Sequence, residues 1–137
     1  MAVLSDHVGM PAAIPPKSVA VSFYPMDGSM VCTTEACAFR DRYEAFREAG
    51  AEVIGISADS SASHDRFASR HRLPFLLLSD GDGAIRARFG VTRTLGMIPG
   101  RVTYVIDRAG IVRHVFSSQF QPARHVSEAL DVLRSLV

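Results

Sequence analysis

Cys32 and Cys37 are the only cysteines among 137 residues, and they stand five positions apart in Ser29-Met30-Val31-Cys32-Thr33-Thr34-Glu35-Ala36-Cys37-Ala38-Phe39-Arg40-Asp41. A thiol reacts as its thiolate, so what matters is whether the chain puts a sulfur where negative charge is favoured. Helix-forming residues with apolar groups at helical spacing run over 33–49, which sets Cys32 at or just before the first turn. There the unpaired backbone N–H groups and the helix dipole favour an anion and make the sulfur a better nucleophile. At about 100° per residue, Cys32 shares a core-facing stripe with Ala36, Phe39, Tyr43 and Phe46, while Cys37 falls with Asp41, Glu44 and Glu48 on the polar side. Residues five apart in a helix have Cα atoms roughly 8–9 Å apart, and a disulfide needs them within about 7 Å. A bond between these sulfurs therefore requires the first turns to unwind.

The elements that would hold this thiol follow in alternation. Residues 18–24 read as a buried strand and Pro25 turns the chain towards Cys32. Gly50 closes the helix, and Ala51–Ser57 is a second strand. Asp59-Ser60-Ser61 caps a helix over about Ala62–His71, which Pro74 ends. Phe75–Leu78 is a short strand, Asp80-Gly81-Asp82-Gly83 a turn without the final Glu of a calcium loop, and Ala84–Phe89 a short helix. A Gly/Thr loop from Gly90 to Gly100 leads to a hairpin, 101–107 with 111–116, and Pro122 starts the last helix. Residues 1–17 are Pro-rich and irregular, and no internal repeat or linker divides the chain, so one domain over 1–137 is expected.

Composition narrows the function classes. The chain is 47% hydrophobic and 21% charged with a net charge of +1, which suits a globular domain and gives no electrostatic case for nucleic acid or an anionic membrane as partner. No apolar run approaches a membrane span, and the first residues lack a signal-peptide pattern. Two cysteines are no disulfide framework, and in a reducing compartment such a pair serves catalysis or metal binding more often than structure, so a cytoplasmic protein is expected. His7, His64, His71, His114 and His125 are scattered with no carboxylate cluster at ligand spacing. They are read as surface histidines, and no metal or other cofactor is expected.

The order β-α-β-α-β-α-β-β-α, with a thiol where the first strand meets its helix, describes an α/β thioredoxin-like fold: a central mixed sheet flanked by helices, with active groups at the carboxyl ends of the parallel strands. Phe23-Tyr24-Pro25, Ser29-x-x-Cys32, the run from Thr33 to Asp41, Val53–Ser57, Leu76–Asp80 and Ile98–Asp107 agree in order and spacing with one family. From about Ser18 to the C-terminus the chain resembles a peroxiredoxin of the PrxQ, or bacterioferritin comigratory protein, type. That resemblance implies a thiol peroxidase acting on hydrogen peroxide and organic hydroperoxides. Cys32 would be the peroxidatic cysteine and Cys37 the resolving one. Ser29 would bond peroxide and thiolate, Pro25 would shield the pocket, and Arg101 would hold the thiolate and the departing oxygen. It also implies recycling by thioredoxin or a similar dithiol protein, and a monomer or weak dimer. Two departures stand out. The Pro-Gly pair the family carries before the cysteine is replaced by Met30-Val31, and the N-terminal Ala-Pro-Asp-Phe segment with its hairpin has no counterpart, which would leave apolar surface for self-association. The other class in play is a catalytically degenerate thioredoxin-like redox sensor or binding domain.

Overall fold

The computed structural model of the chain describes residues 17–91 and 100–136. Among them the order is β1 (Ser18–Phe23), α1 (Met30–Asp41), α2 (Tyr43–Glu48), β2 (Ala51–Ser57), α3 (Ser61–His71), β3 (Leu76–Ser79), α4 (Ala84–Phe89), β4 (Val102–Ile106), β5 (Val112–Ser117) and α5 (Pro122–Ser135). The strands form one sheet in the order β3-β2-β1-β4-β5. β1, β2 and β3 run parallel, whereas β4 is antiparallel to both β1 and β5. This is the expected mixed, thioredoxin-like sheet.

Strand alternation decides what lies on each side. Ala20, Val53 and Val105 face Phe39, Phe46, Val126, Leu130 and Leu133, so α1, α2 and α5 cover one face. Val21, Phe23, Ile54, Ile56 and Tyr104 face Ile85 and Val91 on the other. The same parity puts Ser22 on the face of Ala20, and Thr103 on the face of Val105. Ser22 and Thr103 are also register partners across the β1–β4 ladder. Two polar side chains thus lie side by side under α1 and α5, and they reappear below as part of the site.

Three expectations are corrected. The single helix over 33–49 is two, interrupted at Arg42 (φ −108°, ψ 9°). No Gly or Pro marks the break. Restarting at Tyr43 lets its hydroxyl donate to Glu52 on β2 and its ring meet Phe75, so tertiary contacts override helix propensity. The first helix also begins earlier than expected, at Met30, because Ser29 caps it. The surface reading of the histidines fails for His64 and His125, which are 3% and 0% exposed. Their ring nitrogens find partners inside the fold, which is what permits an imidazole to be buried. The turn at 80–83 stands, with more structure than expected: the buried Asp80 carboxylate accepts from the backbone N–H groups of Ile85 and Arg86 and fixes the start of α4. Expectations about the N-terminal segment and most of the 90–100 loop fall on residues 1–16 and 92–99, outside the described residues.

Candidate active site

Cys32 is the third residue of α1 and is 2% exposed. Its backbone N–H donates to Ser29 Oγ at 3.2 Å, and Thr33 N donates to Ser29 O at 2.8 Å. Ser29 thus sets where the helix begins, and its hydroxyl keeps an O–H to donate. Arg101, just ahead of β4, brings Nη2 to 3.0 Å from Cys32 Sγ. Its Nε donates to the Gln119 carbonyl at 3.1 Å, which fixes the plane of the guanidinium. The sulfur thus lies between the start of a helix and a guanidinium fork, two groups that attract negative charge.

Behind Arg101 lies a second group of buried polar side chains. Arg101 Nη1 is 3.4 Å from Glu35 Oε2, and neither atom completes a hydrogen bond there. Glu35 Oε1 and Ser22 Oγ are hydrogen-bonded at 2.8 Å. Burial pushes the Glu35 carboxyl up to about 7, against the opposing pull of Arg101 and Ser22. His125 on α5 lies with Nδ1 2.8 Å from Thr103 Oγ1 and Nε2 2.7 Å from the Ser118 carbonyl. Burial pushes this imidazole down to about 4, with the Ser118 carbonyl working the other way.

A third group anchors the loop that carries the chain from β1 to Cys32. Asp27 Oδ1 accepts from Tyr24 OH at 2.6 Å, and Oδ2 accepts from Ser63 Oγ at 2.8 Å with His64 Nδ1 also at 2.8 Å. Asp27 N donates to Asp59 Oδ2 at 2.8 Å, and His64 Nε2 reaches the Leu78 carbonyl at 3.1 Å. Ligand atoms of Asp27, Asp59 and His64 lie within 4.8 Å of one another. Each is already matched to a protein partner, so the cluster ties the loop to α3 and β3.

Of the residues singled out in the sequence, Cys32, Ser29 and Arg101 come together. Pro25 is half-buried in the connection between β1 and α1. Cys37 sits further along α1, half-buried rather than on the open polar side, and both sulfurs are free thiols. The break at Arg42 separates Cys37 and Asp41 from Glu44 and Glu48, so the long polar stripe does not form. Sequence reasoning missed Glu35, Ser22, Thr103 and His125 as parts of the site. Strand parity for Ser22 and Thr103, and the one-turn step from Cys32 to Glu35, were the signals available.

Comparison with known proteins agrees with this geometry. The AhpC/TSA family model matches residues 9–115. Chloroplastic peroxiredoxin Q of Sedum lineare is 50% identical over 97% of this chain and 74% of its own length. The rice (subspecies japonica) protein is 51% identical over 88% of this chain, which spans 56% of the rice protein. Among solved structures, peroxidoxin BcpB of Mycobacterium tuberculosis superposes with a TM-score of 0.82 at 39% identity, covering 89% of this chain and 81% of that one. A cysteine-to-serine mutant of Xanthomonas campestris peroxiredoxin Q gives 0.83 at 30% identity, with the same coverage. The cytoplasmic expectation is overturned, because the plant relatives at about 50% identity are chloroplastic proteins. A low cysteine count speaks for a reducing environment, and the cytosol is not the only one. Family match, relatives and superposed structures coincide with a buried thiol held by Arg101, and the chain belongs to the AhpC/TSA family, among the thiol-dependent peroxidases of the peroxiredoxin Q type.

Proposed function

We propose that the chain works as one domain that reduces peroxides with Cys32 as the attacking thiolate and Cys37 as the resolving thiol. The sulfur attacks the terminal oxygen of R–O–O–H, the O–O bond breaks, RO⁻ leaves and takes a proton, and Cys32 becomes a sulfenic acid. Cys37 then attacks the Cys32 sulfur, water leaves, and a Cys32–Cys37 disulfide forms. Thioredoxin or a similar dithiol protein returns both thiols by exchange. Arg101 and Ser29 supply donors for the charge that develops on the oxygens, and Pro25 limits access of water. A related Xanthomonas campestris bacterioferritin comigratory protein is described by its alkyl peroxide reduction activity, which supports organic hydroperoxides as substrates here as well as hydrogen peroxide.

The observation that carries this reading is Arg101 Nη2 at 3.0 Å from a buried sulfur at a capped helix start. A degenerate sensor would have no need of that contact. Single-turnover stopped-flow separates the two thiols. Cys32→Ser is expected to consume no peroxide, whereas Cys37→Ser completes one turnover at the normal rate and then fails to recycle with a dithiol donor. Normal consumption by Cys32→Ser would overturn the assignment.

A further inference from the structure

Two hydroxyls join Glu35 to His125, and the directions their hydrogen bonds can take are limited. Ser22 Oγ lies 2.8 Å from Glu35 Oε1, Thr103 Oγ1 lies 3.2 Å from Ser22 Oγ, and His125 Nδ1 lies 2.8 Å from Thr103 Oγ1. All four residues are at most 3% exposed, so bulk water is no alternative partner. The other imidazole nitrogen, Nε2, faces the Ser118 carbonyl at 2.7 Å and stands 3.7 Å from Glu35 Oε2, beyond hydrogen-bond length; a carbonyl only accepts, so Nε2 carries a proton. Each hydroxyl has one proton to give. If Glu35 is ionised, Ser22 donates to it, Thr103 donates to Ser22, and Thr103 then needs a donor at Nδ1, which makes His125 an imidazolium. If Glu35 is protonated, it donates to Ser22, Ser22 to Thr103, and Thr103 to a neutral Nδ1. With a single proton held between carboxyl and imidazole, no other arrangement makes all three bonds. One proton held between Glu35 and His125 therefore satisfies the chain at either end.

We propose that Glu35, Ser22, Thr103 and His125 form a proton wire behind Cys32 that keeps Glu35 a neutral carboxyl, leaving Arg101 to the sulfur and the peroxide. This rests on the peroxidase reading above only for what Arg101 is left to do. An ionised Glu35 would compete for the guanidinium, because Oε2 is 3.4 Å from Nη1. Passing the proton balances without a co-reactant: Glu35 gives its proton to Ser22, Ser22 to Thr103, and Thr103 to Nδ1, so carboxyl and imidazole become carboxylate and imidazolium. The charged groups facing the wire are Arg101 from the start of β4, Cys32 from α1, and Arg124 and Glu128 from α5. The raised carboxyl and the lowered imidazole put the shared proton at the Glu35 end. The four are positioning residues, acting through Arg101.

The sign of two substitutions tests the wire. Thr103→Val leaves Ser22 no acceptor when Glu35 is protonated, so it disfavours the carboxyl. Ser22→Ala removes both the donor to the carboxylate and the acceptor of the neutral carboxyl, and since the bond to the charged form is the stronger, it disfavours the ionised form more. The Glu35 carboxyl carbon of the reduced full chain, followed by NMR against pH, is expected to titrate about one unit lower in Thr103→Val, about the worth of one hydrogen bond. It should titrate higher in Ser22→Ala and return to the wild-type position in Thr103→Ser. The second-order rate with hydrogen peroxide should fall as Glu35 ionises, and severalfold near neutral pH in Thr103→Val. A Glu35 midpoint indifferent to Thr103→Val, or moved in the same direction by both substitutions, overturns the wire. If Thr103→Val does not fold, an unmoved or lowered midpoint in Ser22→Ala does the same. A peroxide rate indifferent to Glu35 ionisation overturns its role. The carboxyl titration needs no peroxidase activity, so an inactive chain would sink the reading above while leaving the wire to be judged on its own.

Discussion

At the scale of single residues, the site turns on which donor reaches the sulfur. Arg101 Nη2 is 3.0 Å from Cys32 Sγ, and its Nε is held by the Gln119 carbonyl. A fixed guanidinium serves the ground-state thiolate and the charge that develops on the oxygens. Losing such a donor typically costs about 10²–10³ in rate. Arg101→Ala is therefore expected to slow the reaction of Cys32 with peroxide by that order. Arg101→Lys should recover only part, because an ammonium cannot bond the Gln119 carbonyl and the sulfur with one planar fork. Peroxide kinetics on the two variants, with circular dichroism to confirm folding, decide it, and a rate within a few-fold of wild type in Arg101→Ala would remove Arg101 from the chemistry. Cys32, Ser29 and Arg101 were legible in the sequence, because a thiol at a helix start and a motif arginine are local features. Glu35 lies in the same motif as Cys32. Its importance comes from burial between α1, β1 and β4, which no local pattern states.

At the scale of elements, the start of α1 does two jobs that conflict. Reduced, it must hold Cys32 beside Arg101. Oxidised, it must bring two sulfurs together whose Cα atoms in a helix stand roughly 8–9 Å apart, beyond the reach of a disulfide. Disulfide formation is thus expected to release the backbone bonds of residues 32–39, including Thr33 N to Ser29 O and the Ser29 cap. Hydrogen exchange on both redox forms should show 32–39 protected when reduced and open when oxidised, with β2 and β4 protected in both. Equal protection after a confirmed Cys32–Cys37 bond would refute the unwinding. Shortness makes the opening local: the break at Arg42 leaves α1 only 12 residues, while α2 stays anchored through Tyr43 on Glu52. The sequence showed most element limits well. Gly50, the serines at 60–61, Gly90 and Pro122 are strong punctuation, and α4 and the start of α5 lie where they were expected. The Arg42 break carries no such mark, since what stabilises it is a contact with a strand nine residues further on.

At the scale of the whole molecule, two buried titrating groups on different elements act on folding stability with opposite sign. Glu35 titrates at about 7 in the folded chain against an ordinary 4.5. Between those values the folded chain holds a proton that the unfolded chain has released, so this contribution falls as pH rises. His125 titrates at about 4 against an ordinary 6.5. Between those values the unfolded chain holds a proton that the folded one lacks, so this contribution grows as pH rises. Each involves one proton, and from about pH 4.5 to 6.5 the two slopes cancel. Removing one group should expose the other. Relative to wild type, Glu35→Gln is expected to gain stability with rising pH across that window, by up to about 3 kcal/mol. His125→Asn should lose stability with rising pH by a similar amount. Urea midpoints of the reduced protein at several pH values between 4 and 7 measure both. Slopes of the same sign in the two variants would mean that α1 and α5 do not carry a compensating pair, and that the burial of these side chains has been offset elsewhere.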